Sequence, residues 1–189
     1  MRALPANPVA SGTSLRFPVW FLVMLGTLVL PQAPSAGVAT EDVDVLGREL
    51  DGATVRLSEY RGRAVVLAFW ASWCSPCRTE LPKLEAMQRL FGKDKVVVFA
   101  INSHEDAKAA RRGLRSWGLK ADMTVVLDKR GRLARKLGVR GVPATLLLGP
   151  QGELRWSASG YSRGAMDQLV REVHTVIKSA PPSAGAAQP

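Results

Sequence analysis

Cysteine and histidine are scarce in this chain, which has only two of each among its 189 residues. A structural zinc site needs four ligands. His104 and His174 are 70 residues apart and fall on different predicted elements, so they do not complete such a site with the cysteines. A permanent disulfide between Cys74 and Cys77 would close so short a loop that it would constrain little of the unfolded chain. Alternation between dithiol and disulfide is the use that best fits this cysteine pair.

Acidic residues are also in the minority, with 16 Asp and Glu against 26 Lys and Arg. No acid precedes Glu41, and a basic N-terminus leads into a mostly apolar stretch, Phe17–Leu30, followed by small residues up to Ala39. As a helix this stretch would span about 21 Å, less than the roughly 30 Å hydrocarbon core of a bilayer. We therefore predict that residues 1–39 are a cleaved secretory signal, with an uncleaved signal anchor as the alternative. In either case the folded part is expected to be exported to the periplasm or another extracytoplasmic space.

The cysteines lie in Trp73-Cys74-Ser75-Pro76-Cys77, shortly after an unbroken apolar run, Ala64–Trp70. The run is rich in β-branched and aromatic residues, which predicts a strand buried on both faces. Apolar residues then recur at helical spacing up to about Gly92, so we expect a helix that begins close to Cys74. The N-terminus of that helix favours the thiolate of Cys74. Cys77, inside the first turn, is expected to be more shielded and suited to resolving a mixed disulfide.

Two segments resemble characteristic motifs of the thioredoxin superfamily, most closely those of its TlpA/ResA-like extracytoplasmic thiol-disulfide oxidoreductases. Residues 69–82 read Phe-Trp-Ala-Ser-Trp-Cys-Ser-Pro-Cys-Arg-Thr-Glu-Leu-Pro, like the active-site segment, and residues 138–145 read Gly-Val-Arg-Gly-Val-Pro-Ala-Thr, like the proline loop. The resemblance implies that Cys74 is the attacking thiol, that Cys77 is the resolving thiol, and that Pro143 is a cis-proline that shapes the substrate groove.

The same resemblance assigns roles to four further residues around the cysteines. Val142 would offer backbone groups to an extended partner peptide, in the manner of an added strand. Trp73 would lie beside the active site, and Ser75 and Pro76 would help to set the reduction potential. The nearby Trp70 is expected to pack in the core.

Two positions distinguish the chain from cytoplasmic thioredoxins. Ala68 stands where those proteins carry a buried aspartate, and Glu80 stands where ResA-like proteins carry an acid close to the cysteines. A carboxylate at Glu80 would relay protons and influence the pKa of both thiols. Alternatively, it would only complement the N-terminus of the helix. The sequence leaves both interpretations of Glu80 open.

The remaining elements predict an α/β class and a thioredoxin fold, with a mixed central sheet flanked by helices, an N-terminal β-hairpin and a central insertion. An Asp-Gly turn at 49–55 indicates the hairpin. Further strands are expected at 96–101, 124–127, 144–148 and 153–157, and helices from the Ser103 and Asp106 caps to about 118, at 132–137 and around 166–177. His104 is thereby placed in a first helical turn and His174 on the last helix, both exposed. The thioredoxin-like domain is predicted to span 40–178, and the proline-rich segment 179–189 to be disordered.

We therefore expect an exported, monomeric thiol-disulfide oxidoreductase that exchanges the Cys74/Cys77 pair with protein thiols and disulfides and needs no metal or other cofactor. The resemblance implies a reductant of apocytochrome c or other exported thiols, recharged by a membrane electron donor of the CcdA/DsbD type. The alternative is a copper-delivery protein that uses the two thiolates as soft ligands. The Cys-x2-Cys spacing argues against it, because Sco-like copper proteins carry Cys-x3-Cys.

Basic residues crowd the approach to the proline loop, at Lys129, Arg130, Arg132, Arg135, Lys136 and Arg140. Such a cluster would steer acidic partners or anionic membrane surfaces to the active face, or would serve solubility alone. Nucleic-acid binding is not expected of an exported chain that lacks interleaved aromatic and basic residues.

Overall fold

Seven strands form one sheet in the computed structural model, which describes residues 43–119 and 122–179. In chain order the elements are β1 (Val45–Glu49), β2 (Thr54–Arg56), β3 (Ala64–Trp70), α1 (Ser75–Phe91), β4 (Val96–Ser103), α2 (Ala107–Ser116), β5 (Thr124–Asp128), α3 (Arg132–Lys136), β6 (Ala144–Leu148), β7 (Leu154–Ser159) and α4 (Arg163–Ser179). A 3₁₀ turn, Leu57–Tyr60, follows β2.

The sheet is mixed and has the strand order β2-β1-β5-β4-β3-β6-β7. The central strands β3, β4 and β5 run parallel, whereas β1 and β6 run antiparallel to their neighbours β5 and β3. Hairpins form both edges, β1–β2 on one side and β6–β7 on the other. The predicted mixed sheet flanked by helices is confirmed, including its N-terminal hairpin.

The core lies on both faces of the central strands. Every residue of β3, β4 and β6 is buried, which is why these segments read as continuous apolar runs instead of alternating ones. Helices α1, α2 and α4 pack on one face, and α3 and the 3₁₀ turn pack on the other. Helix α1 therefore packs on the central strands, with its main backbone contacts to β4.

The side-chain amide of Gln88 links α1 to the sheet through hydrogen bonds at its oxygen and at its nitrogen. Its Oε1 accepts a hydrogen bond from the Val98 N–H at 2.7 Å, and its Nε2 donates to the Asp122 carbonyl at 3.2 Å. Val98 precedes the point at which β5 begins to pair with β4, at Phe99. The side chain of Gln88 thus satisfies a strand N–H that the sheet leaves unpaired on that side.

The segment after β4 differs from the prediction. Ser103 does not cap a helix but is the last residue of β4, where it pairs with Asp128 of β5. His104 is not in a helical turn either, because its backbone is left-handed with φ 61°. The helix begins only at Ala107, where Asp106 accepts a hydrogen bond from the Ala109 N–H at 2.8 Å. A left-handed residue cannot belong to a right-handed helix, so the strand and the helix are separated here.

The chain ends are only partly covered by the described residues. Helix α4 includes Ser179, one residue beyond the predicted domain boundary. The predicted signal or anchor, 1–39, and the rest of the predicted disordered tail, 180–189, lie outside the described residues. Within the described ranges, none of the helices combines the length and the apolar character needed to cross a bilayer.

Candidate active site

The N-terminus of α1 carries the cysteine pair. Cys74 is the N-cap of the helix, and Cys77, one turn later, is joined to it by a disulfide with a Cα–Cα distance of 5.3 Å. The Cys77 N–H donates to the Cys74 Sγ at 3.2 Å. After reduction the same N–H and the helix dipole would stabilise a thiolate at Cys74. Ser75 and Pro76 form the exposed first residues of the helix, where proline needs no hydrogen-bond acceptor.

The two cysteines differ little in exposure when they are oxidised. Cys77 is completely buried and Cys74 is 3% exposed. The order agrees with the expected shielding of Cys77, but the attacking residue is nearly enclosed as well. The two cysteines differ more in helix position than in exposure. Cys74 is the N-cap of α1, and Cys77 lies within its first turn.

Glu80 lies in the second turn of α1 and is buried, with 6% of its surface exposed. Its Oε1 accepts a hydrogen bond from the Thr145 Oγ1 at 2.7 Å. Burial raises the pKa of Glu80 above its ordinary value, and the hydrogen bond from Thr145 opposes that rise. The first turn of α1 contains no acid, so Glu80 does not complement the helix N-terminus, one of the two interpretations that the sequence left open.

Thr145 links Glu80 to the position of the missing strand aspartate. In the antiparallel pairing of β3 with β6, Thr145 lies directly opposite Ala68. Ala68 belongs to the same buried cluster as Cys74 and Cys77. Strand β3 therefore has no acid at this position. Instead, Glu80 of α1 bonds to β6, the neighbour of β3, on the face of the sheet that holds the disulfide.

The proline loop enters β6 through a cis peptide bond between Val142 and Pro143. Pro143 is buried, and its carbonyl accepts a hydrogen bond from the Gly160 N–H at 2.8 Å. Val142 is half-buried, and no hydrogen bond to its backbone N–H or carbonyl occurs within residues 43–119 and 122–179. The backbone on the N-terminal side of Pro143 is thus open to pairing with another chain.

Trp73 and Trp70 have the different environments that the sequence predicted. Trp73, next to Cys74, is 72% exposed. Together with Val142 it lines a cavity of about 190 Å³. Trp70 is 1% exposed and packs against Trp117, with a ring-centroid distance of 5.3 Å.

Sequence reasoning missed Glu105, which holds the loop before Cys74. Its carboxylate accepts hydrogen bonds from the Ser72 N–H at 2.7 Å, from the Ser72 hydroxyl at 2.5 Å and from the Asn102 side-chain amide at 2.8 Å. Helix α2 also approaches this loop closely, since a Cβ at Gly113 would lie 2.6 Å from the Ser72 Cβ. The available signal was the position of these residues along the chain. Asn102 lies near the carboxyl end of β4 and Glu105 follows that strand, and the carboxyl ends of adjacent parallel strands meet at one edge of a sheet.

The two histidines lie on different parts of the fold. His174 is exposed on α4, and His104 is exposed in the loop after β4. Among the residues that the structure describes, no three His, Cys, Asp or Glu side chains are grouped so that they could hold a metal ion.

Comparison with known proteins places the chain among thiol-disulfide oxidoreductases. The profile of the AhpC/TSA family matches residues 32–157. Thiol-disulfide oxidoreductase ResA of Halalkalibacterium halodurans is 28% identical over 143 residues, which are 76% of this chain and 78% of that protein. ResA of Bacillus subtilis is 30% identical over 106 residues, 56% of this chain and 58% of that protein.

A solved structure with a similar fold is that of a putative thiol:disulfide interchange protein DsbE from Chlorobium tepidum. It is 29% identical and has a TM-score of 0.64, with 69% of this chain and 90% of that chain covered. A putative protein disulfide isomerase from Bacteroides thetaiotaomicron is 26% identical with a TM-score of 0.65, and 72% and 88% of the two chains are covered. The chain belongs to the AhpC/TSA family and is a ResA/TlpA-like thiol-disulfide oxidoreductase with a thioredoxin fold.

Proposed function

We propose that this oxidoreductase is exported and reduces disulfides of other proteins through the Cys74/Cys77 pair. The observation that carries the proposal is the position of this disulfide at the N-terminus of α1, which favours a thiolate at Cys74 once the pair is reduced. Both cysteines of the chain belong to this pair. A disulfide that spans three residues adds little stability, so exchange with a partner is its plausible use.

The reaction takes place in two exchange steps. The Cys74 thiolate attacks one sulfur of a partner disulfide, forms a mixed disulfide and displaces the partner's other sulfur as a thiolate, which takes up a proton. Cys77 then loses its proton, and its thiolate attacks the Cys74 Sγ. This attack breaks the mixed disulfide and displaces the partner's second sulfur as a thiolate, which takes up a proton. The partner leaves with two thiols, and Cys74 and Cys77 are left joined as a disulfide. Two electrons have passed from this chain to the partner.

Glu80 is proposed as the group that accepts the proton of Cys77 in the second step. It lies one turn beyond Cys77 on α1, so the two side chains project from neighbouring positions of the helix. Burial raises the pKa of its carboxyl group, which brings the carboxylate closer in basicity to a thiol and makes it a better base. Thr145 holds the carboxylate in place through the hydrogen bond to Oε1.

The proline loop is proposed to hold the partner polypeptide. The backbone of Val142, which is unpaired within the described residues, would pair with an extended segment of the partner, while Pro143 and Trp73 would flank its cysteine. Ser75 and Pro76 would contribute to the reduction potential through the first turn of α1.

A trapping experiment tests protein-thiol exchange. In Cys77→Ser the resolving thiol is absent, so a partner is expected to remain bound to Cys74 as a mixed disulfide that mass spectrometry identifies. The Cys74→Ser variant is the control and should trap nothing. Recovery of no disulfide-linked partner from the native exported compartment would contradict the proposal.

The direction of exchange and the electron source are tested in cells. We propose a CcdA/DsbD-type membrane donor, apocytochrome c or other exported thiols as substrates, and a monomeric enzyme. Thiol labelling should find the pair reduced in normal cells and oxidised in cells without the donor. A purified protein that fails to reduce insulin disulfides, yet binds Cu(I) stoichiometrically through Cys74, would instead support the copper-delivery alternative.

A further inference from the structure

A small cavity lies beside the proposed partner site, between Trp73 and the proline loop. Its volume is about 190 Å³. Apolar walls come from Trp73, Val139 and Val142, and polar groups come from Ser103, His104 and Arg140, with no acid among the lining residues. The cavity is therefore adjacent to the attacking cysteine but separate from the Glu80 side chain, which lines a different cavity.

The polar residues of the cavity are held by the fold. His104 has a left-handed backbone and its ring lies over Gly131, where a Cβ would come within 2.3 Å of the His104 Cε1. Ser103 is 4% exposed, and its hydroxyl has no hydrogen-bond partner in the described part of the chain. A buried polar group without a partner is uncommon in proteins, and a ligand atom that supplies the partner removes that deficit.

The segment that carries the proline loop is basic. Residues 129–152 contain six Lys and Arg and no Asp or Glu. A wider groove of about 800 Å³ lies between β1 and α3, where Arg48, Lys129 and Arg130 are among its lining residues. The acid in that groove is Asp128, and its carboxylate already accepts hydrogen bonds from the N–H groups of Leu133 and Ala134. The carboxylates of Asp128 and of Glu105, which follows His104, are thus both engaged in hydrogen bonds within the protein.

We infer that the cavity receives an acidic side chain of the partner polypeptide, close in sequence to the cysteine that reacts with Cys74. The inference rests on the proposed function, because a partner must first be seated along Val142. Arg140, which is exposed at the rim, supplies the charge-assisted hydrogen bond to the carboxylate. His104 offers a further donor, and the Trp73 indole covers the aliphatic part of the side chain.

The test uses disulfide-bonded peptides that differ in one residue. Each peptide carries a single Glu, placed one, two or three residues before or after the reactive cysteine. A matched peptide has Gln at the same position. The kcat/KM of reduction is measured for the full-length protein, for Arg140→Gln and Arg140→Glu, and for Arg155→Gln. Arg155 is an exposed residue of β7, so its replacement removes the same charge away from the cavity.

At one or more positions the Glu peptide should be reduced roughly tenfold faster than its Gln counterpart at low salt, the order expected for a hydrogen bond between charged groups. Arg140→Gln should abolish that ratio, Arg140→Glu should reverse it, and Arg155→Gln should leave it unchanged. Equal reduction rates for every Glu and Gln pair of peptides would overturn this inference but not the proposed function. A Glu-to-Gln rate ratio that persists in Arg140→Gln would do the same. Failure to reduce any peptide would overturn the proposed function, and the inference with it.

Discussion

At the scale of single residues, burial and one hydrogen bond define the environment of Glu80. Glu80 is buried on the same face of the sheet as the cysteines, and its partner Thr145 is paired with Ala68. A carboxyl group in this position cannot be solvated as it would be in the unfolded chain, and burial therefore raises its pKa. Its ionisation must therefore affect the stability of the folded state.

Glu80→Gln is expected to change how stability depends on pH. Because the folded-state pKa of Glu80 is raised above the ordinary value of 4.5, the folded state favours the protonated acid. The stability contributed by that acid is complete below about pH 4.5 and is lost as the pH rises through the folded-state pKa. The free energy of unfolding of the oxidised wild type, relative to Glu80→Gln, should therefore fall as the pH rises above about 4.5 and level off once the pH exceeds the raised folded-state pKa.

Urea unfolding at several pH values measures this difference. Thr145→Val provides a directional control, because loss of the hydrogen bond removes an influence that lowers the pKa of Glu80. The fall should then extend to higher pH. A difference between wild type and Glu80→Gln that stays constant with pH would show that Glu80 does not titrate in this way.

Glu105→Gln is expected to loosen the segment that precedes Cys74. The neutral amide replaces the charge-assisted hydrogen bonds from Ser72 and Asn102 with weaker neutral ones, at a cost of about 1 kcal/mol. Hydrogen exchange of the Ser72 amide should become faster, and the free energy of unfolding should drop by that amount. Glu59→Gln, at an exposed position, should leave both measurements unchanged. Unaltered exchange at Ser72 would mean that Glu105 does not position this loop.

Among the elements, α1 links the redox site to the centre of the sheet. Its first residues carry the disulfide, and its later turns pack on the sheet through Leu81 and Leu84. Gln88 adds polar attachments to Val98 and Asp122. The position of Cys74 therefore depends on contacts made several turns away.

Gln88→Met should weaken the attachment of α1 to β4. The side chain keeps its approximate volume but cannot accept the hydrogen bond from the buried Val98 N–H, which costs about 1–3 kcal/mol. The midpoint of urea unfolding should shift to lower concentration with an unchanged slope. Gln168→Met on α4, at an exposed site, is the matched control. Equal stability of Gln88→Met and the wild type would contradict the role given to this amide.

For the whole molecule, the two buried clusters share the same central strands. Alternate residues of β3 and β4 point into one cluster or the other, so neither cluster can be lost while the sheet remains intact. Residues 40–179 should therefore unfold in a single cooperative transition. Far-ultraviolet circular dichroism and tryptophan fluorescence should give coincident urea curves, whereas two separated transitions would contradict this view of the fold.

Much of this fold was predictable because its central strands are unusually uniform. Ala64–Trp70 is buried at every position, so its sequence is a continuous apolar run with a clear end, and the turn signals around it mark the helix and hairpins. The region after β4 was harder to predict from the sequence. No local sequence pattern predicts the left-handed backbone of His104. The pairing of Ser103 with Asp128 is a contact between residues that are distant along the chain.

The sequence by itself determined the chemistry of the site and the ends of the elements that hold it. Two cysteines at Cys-x2-Cys spacing between an apolar strand and a helix, followed by a proline loop, point to thiol-disulfide exchange through local pattern alone. Only the tertiary structure decided which polar groups meet around the disulfide. Glu80 is joined to Thr145, and Glu105 to Ser72, by hydrogen bonds that span 65 and 33 residues. Such contacts depend on strand order and register, which local periodicity does not encode.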